Sequence, residues 1–152
     1  MIEVQSSYSK ILLAPQLKDN SDFAGNTYID TKGFEGGLLR ILFLVGTIDA
    51  AIGSTAEGTA PKVEECDTTD GTYTDVTGAA LADAIGATED DGVFCIDIDL
   101  TKTHKRYMEV NVPHAGDGTT GCNLCIIGQL FGPSGLAPVS ATEQGFTEHI
   151  KT

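Results

Sequence analysis

Apolar and polar residues alternate with a period of two along much of this chain, the spacing of strands that bury one face. The clearest case is Val93–Leu100, where Phe94, Ile96, Ile98 and Leu100 share one side and Cys95, Asp97 and Asp99 the other. Lys105–Val112 repeats the pattern, with Tyr107, Glu109 and Asn111 set against Arg106, Met108, Val110 and Val112. In Lys62–Asp67, Val63, Glu65 and Asp67 oppose Lys62, Glu64 and Cys66. Asp70-Gly71 then supplies a tight turn, and Thr72–Val76 returns as the second strand of a hairpin. Further strands are predicted at Ser7–Leu13, stopped by Pro15, at Asn26–Asp30, and at Cys122–Leu130. Leu38–Thr47, LLRILFLVGT, is apolar at nearly every position and is predicted to lie near the centre of the core. Ile48–Ala60 reads as a loop, and Ala79–Ile85, AALADAI, as a short helical turn.

About eight short strands separated by turn residues predict an all-β fold, an antiparallel β-sandwich that is jelly-roll-like or Ig-like, with extended termini. A length of 152 residues suits one hydrophobic core. Residues 1–131 are assigned to a single β-sandwich domain that includes an N-terminal arm. Residues 132–152 carry two prolines and three glycines without regular apolar spacing, and are assigned to an extended C-terminal tail.

The formal charge of −13 argues against nucleic-acid binding, which needs clustered Lys and Arg. The apolar run Ile41–Val45 is far too short to span a bilayer. The opening MIEVQSSYSK lacks a basic stretch followed by an apolar one, so synthesis in the cytoplasm is expected. In that setting the four cysteines are expected as reduced thiols. Cys122 and Cys125 form a CxxC, but three positions apart on a strand they point to opposite faces, so no zinc site is expected. Asp97 and Asp99, near Glu89, Asp90 and Asp91, lack the spaced ligands of a calcium loop and read as a solvated strand face. With no GxSxG elbow, phosphate loop or dinucleotide fingerprint, the chain is not expected to be an enzyme or to carry a metal or cofactor.

The basic cluster in this acidic chain is TKTHKRY, which makes Lys102, His104, Lys105 and Arg106 candidate contacts for an acidic partner surface. In the tail, Leu136, Val139 and Phe146 are candidate anchors for an arm that orders on a neighbouring subunit.

The succession VGTIDAAI, PKVEECDTTDGTYTDVTGAAL, DDGVFCIDIDLTKTHKRYMEVNV and GPSGLAPVSATEQGF resembles the capsid decoration, or head cement, proteins of tailed bacteriophages. These share an acidic hairpin, a DV-GAA turn, a KRY strand and a proline-containing end. The resemblance runs from about Leu38 to Phe146. It departs at Cys66, where a serine is more usual, and at the inserted pair Thr68-Thr69. It implies a β-sandwich, often a homotrimer, that binds the major capsid protein on the outer surface of the head and stabilises the shell. The implied location is the virion, with no membrane partner. Two alternatives stand beside it: a carbohydrate-binding module for host attachment, which would want exposed aromatics where this chain has no Trp and four Tyr, and a tail or head-completion protein.

Overall fold

The computed structural model describes residues 7–18, 23–24, 27–52, 60–86, 88–112 and 120–132. Among them run nine strands and no helix: β1 (Ser7–Lys18), β2 (Phe23–Ala24), β3 (Ile29–Asp30), β4 (Leu38–Ile48), β5 (Lys62–Cys66), β6 (Thr74–Ala80), β7 (Val93–Asp99), β8 (Tyr107–Val112) and β9 (Cys122–Phe131). Every strand pairing is antiparallel. One sheet, A, has the order β1-β9-β4-β7; the other, B, has β2-β8-β5-β6, with β3 also on β8. Because β2 and β3 pair with different stretches of β8, they share one edge position, and each sheet is four strands wide.

The pairings are nested. β1 pairs with β9, the β2–β3 edge with β8, β4 with β7, and β5 with β6. The chain is therefore one long antiparallel ribbon, closed by the β5–β6 hairpin, whose successive rungs fall alternately on the two sheets. This is the winding of a jelly roll. Of the two sandwich types expected, the Ig-like one is thereby set aside, since its sheets are wired as ABED and CFG.

The core lies between the sheets. From A come Leu39, Ile41, Phe43 and Val45 of β4, Leu124, Ile126 and Leu130 of β9, and Ile96 and Ile98 of β7; from B come Val63, Met108, Val110, Val112 and Ile29. Each fully buried side chain of this size contributes about 1.5–3 kcal/mol.

Several local readings change in the folded chain. Pro15 does not end β1, which continues to Lys18. β1 is an edge strand with register shifts between Ile11 and Leu13 and between Leu13 and Gln16, where a missing N–H costs no ladder bond. The strand expected at Asn26–Asp30 shrinks to Ile29–Asp30. The β5–β6 connection is not a tight turn at Asp70-Gly71 but spans residues 67–73, and the second strand is Thr74–Ala80 instead of Thr72–Val76. Glycine is needed at position 71 for space, because a Cβ there would sit 2.6 Å from both Cys66 Sγ and Thr68 Oγ1.

The helical turn expected at Ala79–Ile85 does not form. Ala79 and Ala80 end β6, and Ile85 exchanges two backbone hydrogen bonds with Ile52, of 2.9 and 2.8 Å, inside the segment read as a loop. Burial of Ala79, Ile52 and Ile85 outweighs a weak helix propensity that a single turn cannot sustain. β6 also bulges: the six residues from Asp75 to Ala80 span only the three from Glu64 to Lys62 on β5, with Gly78 at φ +80°.

Candidate docking surface

The two sheets present very different outer faces. On A, alternation turns Leu38, Arg40, Leu42 and Leu44 of β4 away from the core, and the register extends them into rows across all four strands. One row is Ile11, Ile127, Leu42 and Cys95, and the next holds Cys125, Leu44 and Val93. Neither contains a carboxylate or a base. A third row, Ser9, Gln129, Arg40 and Asp97, is polar, and a fourth carries Ser7, Phe131, Leu38 and Asp99. Beyond the second row, Leu17 faces Asn123.

The large apolar side chains exposed among the described residues are Ile11 (57%), Leu17 (55%), Val93 (65%) and Phe131 (36%). All four belong to this one face.

The rim is electrostatically closed. Arg40 donates from Nε and Nη2 to the two carboxylate oxygens of Asp97, both at 2.8 Å, which holds the Asp97 carboxyl below its usual range. Asp99 accepts from the Thr101 hydroxyl at 2.6 Å and the Thr101 N–H at 3.0 Å, and its pKa is likewise lowered.

The outer face of B is polar. Lys62 Nζ lies 2.6 Å from Asp75 and 3.2 Å from Glu64, and Asn111 donates to Glu64 at 2.9 Å. Glu109 stands directly opposite Glu64 in the β5–β8 register and is buried. Burial first, and then the Glu64 charge, push its carboxyl up to about 7. The Tyr73 hydroxyl is buried without a hydrogen-bond partner among the described residues, and burial together with Glu109 raises it to about 12. The Tyr28 and Tyr107 rings meet edge to face at 5.1 Å, with the Arg106 guanidinium 4.8 Å from the Tyr107 centroid.

The basic cluster divides into two kinds of residue. Arg106 is held by both oxygens of Asp30 at 2.8 and 2.7 Å, and Lys105 donates its N–H to Glu65 at 2.8 Å and its ammonium to Thr74 at 2.9 Å. These two tie the β7–β8 loop to B. Lys102 and His104 instead line a groove of about 560 Å³ between β6 and β7, with Glu65, Thr77, Asp97 and Asp99. Leu136, Val139 and Phe146 lie outside the described residues, as does the N-terminal arm.

Cys122 faces the core and Cys125 the opposite side of β9, as the strand reading required. The apolar outer face of A was missed from sequence, although its signal was visible. LLRILFLV is apolar at both parities, and a strand of that kind has two faces to cover. Only Leu39, Ile41, Phe43 and Val45 of that run reach the core. No protein-family model, curated protein or solved structure matches the chain.

Proposed function

We propose that this protein is a capsid decoration protein, a structural component that binds the outer surface of a tailed-phage head and stabilises the shell. The observation that carries the reading is the asymmetry of the jelly roll: one outer face has two adjacent rows free of charge, with Arg40, Asp97 and Asp99 confined to the rows beside them, and the other face is polar. A rigid scaffold with one face to cover and one to leave in water suits a protein whose work is contact with other proteins. The sequence resemblance from Leu38 to Phe146 supplies the identity of the partner, the major capsid protein. Jelly rolls serve in both viral shells and lectins, so the fold supports this reading only by analogy. The net charge of −13 disfavours DNA as the target. Co-sedimentation with expanded shells lacking the protein tests the proposal. Saturable pelleting and a higher shell disruption temperature are expected, and no pelleting at any concentration refutes it.

One observation favours a second reading. Three of the four tyrosines, Tyr28, Tyr73 and Tyr107, lie close together beside Glu109 on sheet B, a mixture of rings and a polar group suited to a glycan. Glycan-array binding that Tyr107→Ala abolishes would support that alternative.

A further inference from the structure

We infer that the free edge of β7 receives an extended stretch of the same chain, residues 139–144, as a fifth, antiparallel strand of sheet A. The inference goes beyond the decoration reading and does not depend on it.

The two sheets have four edges, and among the described residues three of them are blunted. β1 carries Pro15 and two register shifts, β2 and β3 are two-residue pieces, and β6 bulges at Gly78. These are the devices that keep an edge from pairing. β7 has none of them: its pairs with β4, from Asp99 opposite Leu38 to Val93 opposite Leu44, run without a shift. The phase of that ladder is fixed at both ends. Leu100 N–H donates to the Gly37 carbonyl and Val45 N–H to the Gly92 carbonyl, each at 3.0 Å. Even-numbered residues of β7 therefore bond to β4, while Val93, Cys95 and Asp97 aim their N–H and C=O groups at the open edge. No strand among the described residues meets them there.

The chain itself supplies a strand at the right place. Phe131 of β9 and Asp99 of β7 both lie opposite Leu38, and a Cβ on Gly37 would sit 2.6 Å from the Gly132 Cα. Gly37 is also the residue bonded to Leu100, so the chain passes residue 132 two strand spacings, about 10 Å, from the end of β7. Pro133 and Pro138 have no N–H to give a ladder, which makes residues 139–144, VSATEQ, the first run longer than four without proline. The stretch from Gly132 to Val139 reaches about 23 Å, enough to cross the start of β4 and turn back along β7. β9 and β7 run the same way, both antiparallel to β4, so a chain returning from β9 is antiparallel to β7. Val139, Ser140, Ala141 and Thr142 are short enough for the groove beside that edge, which Val76, Thr77, Asp97 and Asp99 line. The tether makes this pairing intramolecular, so a strand from another molecule competes at a disadvantage.

Amide hydrogen exchange of the full-length chain, followed residue by residue by NMR, tests this. The Cys95 and Asp97 amides should exchange on the order of 100-fold more slowly than those of an unpaired edge. The variant Ala141→Pro, Thr142→Pro removes one donor of each parity and should return both amides to the unpaired rate. Ile96 and Ile98, bonded to β4, should keep their protection in the variant, which shows that the sandwich is intact. Fast exchange of Cys95 and Asp97 in the wild type overturns the inference, as does protection that survives the two prolines. A refolded mixture of isotope-labelled and unlabelled chains identifies the donor. Contacts between β7 and residues 139–144 should stay within one label; contacts that cross labels mean a strand given by a second copy, and also overturn it. None of these readouts involves the shell, so a failure of the decoration reading leaves them unchanged.

Discussion

Glu109 places a pH dependence in the stability of this fold whose sign is opposite to that of most carboxylates. Its side chain is 8% exposed, faces Glu64 across the β5–β8 pair, and has a pKa raised from 4.5 to about 7. Below about pH 4.5 the carboxyl is protonated in both folded and unfolded chains and contributes no pH dependence. Between pH 4.5 and 7 the unfolded chain has lost the proton and the folded one retains it. Stability therefore falls as pH rises through this window, by about 1.4 kcal/mol per pH unit. Above pH 7 the full penalty is present, at most about 3.5 kcal/mol, and relaxation around the group lowers it to about 2. Asp30, Asp97 and Asp99 act in the other direction, since hydrogen bonds from Arg106, Arg40 and Thr101 respectively lower their pKa values. Their contribution is lost as pH falls below about 4, so stability should peak near pH 4.5–5.

Glu109→Gln keeps the shape and removes the charge, and its amide faces a Glu64 carboxylate already accepting from Asn111. At pH 8 the variant should be more stable by about 2 kcal/mol, a Tm increase of roughly 4–8 °C for a chain of this size. At pH 4.5 the two proteins should nearly coincide. Thermal unfolding followed by far-UV circular dichroism from pH 4 to 8 measures both curves. Parallel curves between pH 5 and 8 would refute the assignment, and a less stable variant at pH 8 would show that Glu109 is ionised and paired in the fold.

Two glycine substitutions should separate sharply. A Cβ on Gly37 would lie 2.0 Å from the Phe131 carbonyl oxygen, so Gly37→Ala should cost about 3 kcal/mol; one on Gly128 meets only the side-chain tips of Ile29 and Leu12, and Gly128→Ala should cost about 1 kcal/mol or less, both read by urea unfolding. Phe43→Ala empties the fully buried centre of β4 and should cost about 3–5 kcal/mol, with a cost under 1 kcal/mol contradicting the core described above. Iodoacetamide at pH 8 should modify Cys95 first and Cys122 last, because Cys95 is exposed whereas Cys122 is fully buried and its thiol is pushed up to about 11; peptide mass mapping over time gives the order.

Alternation by itself determined the fold class and much of the inside–outside assignment. In VFCIDIDL the residues Ile96, Ile98 and Leu100 are buried and Cys95, Asp97 and Asp99 exposed, because a pleated strand has no other way to place them. The same local rule could not foresee that Pro15 lies within an edge strand, or that Ala79–Ile85 is drawn into strand and bridge, since those outcomes depend on neighbours distant in sequence. Nor could it assign the basic cluster, where Arg106 and Asp30 pair across 76 positions and leave only Lys102 and His104 at a groove. The strand wiring was decided by tertiary structure, and so was the assembly of apolar positions, already visible in LLRILFLV, into one face of A. Each strand records its own two faces, but which strands lie side by side determines whether Ile11, Ile127, Leu42 and Cys95 become scattered residues or one continuous row.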